Sequence, residues 1–150
     1  MSDARGQIEN LLYRYAELID EGRFDALGEL FTHAELLDPA GAVMARGAGE
    51  AAQNFHRSTR LYPDSGTPRT KHVTTNLLVE VDEAAGTATC RSNYVVLQQT
   101  EKVPLQPIIT GRYHDRFERA DGRWRCASRR YFVDQVGDLS QHLLYELQVR

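Results

Sequence analysis

Apolar residues near the start of the chain recur at the spacing of an amphipathic helix. Over residues 6–20 they form one stripe, made of Ile8, Leu11, Leu12, Tyr15, Leu18 and Ile19. Gly22 follows as a helix stop. A shorter helix with Phe24 and Leu27 on its inner side comes next, and a third is predicted over residues 48–60. Between these last two helices, a small hairpin is predicted to turn at residues 38–41.

The pattern changes after residue 70, where four long segments have the composition of β-strands. They cover approximately residues 71–82, 86–100, 105–119 and 123–135. Asp121-Gly122, between the last two segments, is a strong hairpin signal. Helices followed by an antiparallel meander predict an α+β fold.

These strand segments are longer than the usual length of about five or six residues, which suits a strongly bent sheet. Helices that close a bent sheet leave a pocket inside it. We therefore predict one domain over residues 1–150: a cone-shaped barrel of strongly curved, mostly antiparallel sheet, closed by the N-terminal helices around an internal pocket. A short amphipathic tail, Leu139–Leu147, is predicted either to cover one end of this barrel or to serve an interface.

The charge balance limits the classes of partner. The chain has 18 basic and 21 acidic side chains, whereas proteins that bind nucleic acid or anionic membranes usually carry a basic surface. The densest basic stretch, Arg112–Arg130, is interleaved with acids and is predicted to form mostly the solvated faces of two strands. No apolar run approaches the ~20 residues of a membrane span, and the N-terminus lacks the apolar core of a signal peptide. We expect a cytoplasmic protein with no nucleic-acid or membrane partner.

Cysteine and histidine spacing gives no support for a metal site. Cys90 and Cys126 are too far apart to form a CxxC pair, and they are predicted to be buried free thiols in a reducing compartment. The five histidines show neither HxH nor HExxH spacing. The sequence also lacks the glycine-rich loops that bind nucleotides, and we expect no metal and no cofactor.

Two residues far apart in the chain are the leading catalytic candidates. Asp20 ends the first helix, where a negative charge opposes the helix dipole and is better tolerated if it has a partner. His72 opens the β-rich half, and an imidazole accepts or donates a proton near neutral pH. Taken alone, each residue has an ordinary structural explanation, a solvated turn acid and a hydrogen-bonded strand histidine. An acid that meets a histidine beside an apolar pocket is sufficient equipment for proton transfer.

A second group of polar residues is predicted to contact a substrate. Tyr15 lies on the apolar stripe, about one helical turn before Asp20, so its hydroxyl is predicted to point into the cavity. The other candidates are Tyr94, Tyr113, Asn76 and Arg129. Arg129 either faces a leaving group or enolate oxygen, or pairs with an exposed carboxylate.

The order of elements and several local motifs resemble the SnoaL-like, scytalone-dehydratase-like branch of the nuclear-transport-factor-2-like superfamily. The resemblance runs from Ile8 to about Val136. Its markers are Ala16–Leu27, Leu30-Phe31, Thr70–Asn76, Gly111–Asp115, and Asp121–Arg125 followed by Arg129. It implies a cone-shaped α+β barrel with the functional site inside, and homodimers or homotrimers formed through the outer face of the sheet.

The resemblance also implies roles for individual residues. By similarity to scytalone dehydratase, Thr67–His72 matches a segment that carries a catalytic histidine, and Asp20 matches the catalytic aspartate. By similarity to hexachlorocyclohexane dehydrochlorinase, His72 is the base and Asp20 orients it. Arg129 lies where that enzyme has an arginine that assists the leaving group.

Other positions depart from both enzymes. Tyr94–Gln98 contains no counterpart of the dehydratase's second histidine, and the tyrosine before its aspartate is Ile19 here. Its serine and asparagine fall at or near Gly111 and Tyr113, and the lysine of the dehydrochlorinase is Tyr15. Only a generic dehydratase-like function therefore carries over.

Two function classes follow. The first is a cofactor-independent lyase or isomerase that uses His72 and Asp20 for proton transfer on a small, apolar, cyclic substrate. The second is a non-catalytic subunit of the same fold that binds a small molecule or supports an assembly. A cavity containing His72 and Asp20 within hydrogen-bond reach favours the first class, and a filled interior favours the second.

Overall fold

The computed structural model describes residues 3–147. Its helices are α1 (Ala4–Asp20), α2 (Phe24–Glu29) and α3 (Gly47–Ser58). Two short strands, β1 (Glu35–Leu37) and β2 (Val43–Arg46), lie between α2 and α3. The long strands are β3 (Thr70–Asp82), β4 (Thr87–Gln98), β5 (Gln106–Ala120) and β6 (Arg123–Val136). The predicted α+β order of helices followed by a meander is confirmed.

The strands form one sheet in the order β2-β1-β6-β5-β4-β3. All neighbouring pairs are antiparallel except β1 and β6, which are parallel. Register shifts interrupt each of the three long pairings, and such bulges bend a strand and increase its twist. At the predicted hairpin, Asp121 and Gly122 both have positive φ, as a type I′ turn requires.

The sheet is curved but not closed. Its edge strands, β2 and β3, do not pair with each other in the described part of the chain, so the barrel of the prediction is open on one side. Helix α1 contacts both β3 and β6 and so lies across the sheet between them. No helix within residues 3–147 is both long and apolar enough to cross a membrane.

Helix α1 forms because its apolar positions fall on one face and Asp3 caps its first turn, accepting a hydrogen bond from the Gly6 N–H at 2.7 Å. The face it buries consists of Ile8, Leu12, Tyr15, Leu18 and Ile19. Each large apolar side chain removed from water contributes about 1.5–3 kcal/mol. This burial seats the end of α1, and with it Asp20, against the sheet.

The C-terminal segment, which we define as residues 139–147, lies against the end of α3. Leu143 forms a β-bridge with Thr59, and the N–H of Leu144 donates to the carbonyl of Ser58 at 3.0 Å. The carbonyl of Gln141 accepts from the hydroxyl of Tyr62 at 2.7 Å. Of the two roles predicted for this tail, the structure shows that it covers one end of the fold.

Candidate active site

The end of α1 and the start of β3 are held together by a tight backbone approach. The chain reverses at Gly22, which has φ +72°, and a Cβ there would lie 2.1 Å from the backbone oxygen of Gly66. Only glycine allows both the positive φ and this contact. The loop containing Gly66 leads directly into Thr70, the first residue of β3. Asp20 is therefore placed beside Thr70 and His72.

Three hydrogen-bonding groups converge on the carboxylate of Asp20. Its Oδ1 accepts from the hydroxyl of Thr70 at 2.8 Å and lies 2.6 Å from Nδ1 of His72. Its Oδ2 accepts from the backbone N–H of His72 at 2.8 Å. Hydrogen bonds to charged groups contribute about 1.5–3 kcal/mol each, which exceeds the ~0.3–1 kcal/mol cost of an acid at a helix C-terminus. These contacts stabilise Asp20 where the helix dipole alone would disfavour it.

The hydrogen bond to Asp20 also determines which nitrogen of His72 is available. A carboxylate only accepts hydrogen bonds, so Nδ1 of His72 carries the proton that faces Asp20. In the neutral ring, Nε2 then holds a lone pair. No residue of the described chain, 3–147, hydrogen-bonds to this Nε2. The His72 side chain is only 6% exposed, and it lines a cavity.

That cavity has a volume of about 350 Å³, within the range of about 300–1,000 Å³ typical of small-molecule sites. Most of its wall is apolar and includes Ile19, Phe55, Val96, Ile109 and Val133. The chain therefore forms a cavity, open on one side, with room for a small apolar molecule next to His72.

All three tyrosines predicted to bind substrate line this cavity: Tyr15, Tyr94 and Tyr113. The hydroxyl of Tyr15 lies 3.0 Å from that of Tyr131, and the hydroxyl of Tyr94 donates a hydrogen bond to the backbone oxygen of Phe132 at 2.8 Å. The hydroxyl of Tyr113 has no partner among residues 3–147. Burial raises the pKa of Tyr113 well above its usual value, so its phenol stays protonated. Tyr113 thus offers a free hydrogen-bond donor.

Arg129 does not line the cavity. Its guanidinium donates two hydrogen bonds to Asp115, at 2.8 and 3.0 Å, and the two side chains are 3% and 1% exposed. It also lies between two rings, 4.2 Å from the ring centre of Tyr15 and 3.7 Å from that of Tyr113. Burial acts to lower the pKa of Arg129, but the carboxylate of Asp115 raises it by more. The net pKa is well above the ordinary value, so the guanidinium stays charged.

These contacts correct two expectations. Arg129 and Asp115 form a buried ion pair rather than part of a solvated strand face, because the bulged β5 and β6 direct both side chains inward. Asn76 lies on the exposed side of β3, in a bulge where its own φ is +57°. Neither Arg129 nor Asn76 belongs to the cavity wall, so we exclude both from the substrate-contacting set.

Sequence reasoning missed His142. This residue of the C-terminal segment lines the cavity, is 6% exposed, and has its ring centre 6.4 Å from that of His72. Burial lowers the pKa of His142 to about 4; the nearby His72 lowers it as well, while Asp20 opposes them. Its imidazole is therefore neutral near pH 7. The amphipathic pattern of residues 139–147 was the one available signal, since a covering segment turns some of its side chains inward.

Thr70 was also missed as part of the site. It precedes His72 by two residues, so both side chains point to the same face of β3. The alternation of side chains along a strand was therefore the signal that the Thr70 hydroxyl would reach Asp20, the carboxylate that holds His72. Within residues 3–147 no group of three or more His, Cys, Asp or Glu side chains is arranged to hold a metal ion.

The fold and the site together define a class: small α+β proteins in which helices and a curved sheet form an apolar cavity lined by a histidine whose ring is hydrogen-bonded to an aspartate. The family model of the SnoaL-like domain matches residues 1–130. The chain therefore belongs to the SnoaL-like family. No curated protein matches it significantly.

Several solved structures share the fold. A single-residue variant of Rv3472, a protein of unknown function from Mycobacterium tuberculosis, is 29% identical with a TM-score of 0.69, over 87% of this chain and 71% of that one. A candidate scytalone dehydratase from Novosphingobium aromaticivorans is 19% identical with a TM-score of 0.68, over 95% and 87% of the two chains. The β subunit of a candidate aromatic-ring-hydroxylating dioxygenase from the same organism is 18% identical with a TM-score of 0.68, over 89% and 90%. At these last two identities the likeness is one of fold.

Proposed function

We propose that this protein is a cofactor-independent lyase or isomerase, dehydratase-like in its chemistry, that acts on a small, apolar, cyclic substrate. The observation that carries the proposal is the state of His72. Its Nδ1 is held by Asp20 at 2.6 Å, while its Nε2 has no partner among residues 3–147 and its ring lines an apolar cavity. A general base needs this combination of a fixed ring and a free lone pair.

In the proposed reaction, Nε2 of His72 removes a proton from a substrate carbon next to a carbonyl group. The C–H bond breaks, its electron pair moves toward the carbonyl, and the oxygen gains negative charge. If a C=C bond is conjugated with the enolate, the distal carbon takes the proton back from the His72 imidazolium, which gives isomerisation. If the carbon β to the carbonyl carries a hydroxyl group, the electron pair forms a new C=C bond as the C–O bond breaks, and the imidazolium protonates the departing oxygen to give water. Asp20 is a positioning residue that fixes the His72 tautomer and stabilises the imidazolium that forms, as acids do in other His–acid pairs.

The tyrosines supply hydrogen bonds away from the base. Tyr113 offers its free hydroxyl, and the Tyr15–Tyr131 pair places two more hydroxyls 3.0 Å apart. General base catalysis accounts for about 10²–10⁴-fold acceleration, and donors to developing charge in a water-poor site add to it.

The alternative was a non-catalytic binding or assembly subunit with a filled interior. A cavity of about 350 Å³ beside His72 favours the enzyme, and the likeness to a dioxygenase β subunit extends to the fold alone.

We also propose a homodimer or homotrimer, supported by Val73 and Leu78, which are 44% and 57% exposed on the outer side of β3. Two buried free thiols, Cys90 and Cys126, support a reducing, cytoplasmic location.

The test uses 2-tetralone, a bicyclic ketone with acidic protons beside its carbonyl. Exchange of these protons for deuterium in D₂O is followed by ¹H NMR. We expect the wild-type protein to accelerate exchange over buffer, His72→Ala to abolish the acceleration, and Asp20→Asn to reduce it by at least about 10²-fold because the tautomer is no longer fixed.

His33→Ala is the matched control, since His33 is exposed and does not line the cavity. It should leave the exchange rate unchanged. Circular dichroism checks that each variant is folded. Wild-type exchange no faster than buffer, or full activity in folded His72→Ala, would show that His72 is not a general base.

A further inference from the structure

The cavity contains a second histidine that the proposed function does not use. His142 reaches the cavity from the C-terminal segment instead of from the sheet. Its ring centre lies 6.4 Å from that of His72, and the two planes are inclined by 62°. A direct hydrogen bond needs nitrogens within about 3.2 Å, and none joins these rings. Both rings line the same cavity, so a ligand in that cavity can contact both.

The backbone on both sides of His142 is fixed. The N–H of Arg60 donates to its carbonyl at 2.8 Å, and its own N–H donates to the carbonyl of Leu139 at 3.1 Å. The preceding carbonyl, of Gln141, accepts from the buried amide of Gln98 at 3.1 Å. The backbone of His142 is therefore fixed beside the cavity, and its ring nitrogens receive no hydrogen bond from residues 3–147.

The two ring nitrogens of His142 have different surroundings. Nδ1 is enclosed by protein atoms and has no partner among the described residues. Nε2 is not enclosed in this way, and no hydrogen bond from residues 3–147 reaches it. Unpartnered buried N–H groups are rarer than under-satisfied acceptors, which places the proton of the neutral ring on Nε2. The exposed group is then an N–H donor next to the base.

We propose that His142 is a second catalytic residue of the cavity, whose neutral Nε2–H donates a hydrogen bond to the substrate oxygen while His72 removes a proton from the adjacent carbon. This inference rests on the proposed function and assigns the electrophile for the same reaction. The C–H electron pair becomes the enolate π bond, the proton moves to Nε2 of His72, and His142 stabilises the oxygen that gains charge. A neutral donor suits this position because a second cation next to His72 would oppose its protonation.

The ligand class follows from this arrangement: a cyclic ketone or enol whose oxygen and adjacent carbon face the two imidazoles. The test uses 2-naphthol as a stable enol mimic and naphthalene as the matched ligand without oxygen. Fluorescence titrations measure both dissociation constants in the wild-type protein, His142→Phe, His142→Gln and the control His33→Phe. Phenylalanine retains an aromatic ring but loses the donor, whereas glutamine retains an N–H.

We expect His142→Phe to weaken 2-naphthol binding by roughly three- to tenfold, the equivalent of one hydrogen bond, and to change naphthalene binding by less than about twofold. In the 2-tetralone exchange assay, the same variant should lower kcat by about 10²-fold or more, as expected for loss of one oxyanion donor, with a much smaller change in KM. His142→Gln should recover part of both losses, and His33→Phe should match the wild type.

Equal weakening of both ligands would show that His142 only shapes the cavity, and unchanged kcat in His142→Phe would exclude it as the electrophile. If His72→Ala loses exchange while His142→Phe keeps it, the proposed function stands and this inference fails. The wild type could show no exchange while His142→Phe weakens the binding of 2-naphthol but not of naphthalene. In that case the hydrogen bond from His142 to the ligand oxygen stands, and the catalytic roles of both histidines are overturned.

Discussion

His142 should make the protein sensitive to mild acid. Its pKa is about 4 in the folded state because the ring is buried beside His72, compared with 6.5 for an ordinary histidine. Between these two pH values the unfolded chain binds a proton that the folded chain does not. The contribution of neutral His142 to the free energy of unfolding is therefore fully present above about pH 6.5, and it is lost as the pH falls through the folded pKa.

The size of the effect follows from the two pKa values. Each unit between them corresponds to about 1.36 kcal/mol, so the step from 6.5 to about 4 corresponds to about 3 kcal/mol at most. That is a large part of the ~5–15 kcal/mol by which a domain is stable. Replacing His142 with Phe removes the titrating group and should remove this share of the pH dependence.

The measurement is urea unfolding at pH 7, 6, 5 and 4 for wild type and His142→Phe. Trp124, the one tryptophan of the sequence, is 7% exposed and reports unfolding by fluorescence. Other groups also titrate in acid, including Asp64 and Asp138, whose pKa values lie below the ordinary value because of hydrogen bonds from Arg69 and Ser140. They are common to both proteins and cancel in the difference.

We expect the free energy of unfolding of the wild type to fall by about 3 kcal/mol more than that of His142→Phe between pH 7 and pH 4. Urea m-values should stay equal, which shows that both proteins unfold from a similar compact state. Parallel pH curves for the two proteins would refute the burial argument for a neutral His142.

Two further predictions concern the structure that supports the cavity. Asp115→Ala should destabilise the fold by about 3–5 kcal/mol because it leaves the charge of Arg129 buried and unpaired. Urea unfolding measures this loss of stability. A smaller loss in the double variant Asp115→Ala/Arg129→Met would confirm that the unpaired charge is its cause. Gly111→Ala should lower the melting temperature because the new Cβ would lie 2.0 Å from the backbone oxygen of Phe132, an overpacking that typically costs about 1–3 kcal/mol. Gly49→Ala is the matched control for calorimetry, since nothing lies within 4 Å of its added Cβ, and a lower melting temperature there too would show that the contact at Gly111 is not the cause.

The order of elements was predictable because it depends on local patterns. The apolar stripe from Ile8 to Ile19 has the helical period, and Asp121-Gly122 carries the backbone preference of a two-residue hairpin. Closure of the barrel was not predictable. Whether β2 and β3 meet depends on the accumulated bend of six strands, which arises from bulges that no short window of sequence shows.

The candidate site was predictable in part. Asp20 and His72 were selected from their local settings and a family resemblance. The structure places Oδ1 of Asp20 2.6 Å from Nδ1 of His72. Arg129 was a poor prediction for substrate contact because its partner, Asp115, lies on the neighbouring strand and accepts two hydrogen bonds from its guanidinium. A bulge changes which face of the sheet the following side chains point to, and the pairing of β5 with β6 shifts register next to Arg116, one residue after Asp115.

The helices, the long strands and the hairpin turn at Asp121-Gly122 were predictable because periodicity and turn chemistry act over a few residues. Three features could be seen only in the folded chain: Thr70 donates to Asp20, Arg129 is buried against Asp115, and His142 lies beside His72. Those outcomes depend on the packing of segments that are distant in the chain. Burial in that packing, rather than any local motif, keeps His142 neutral.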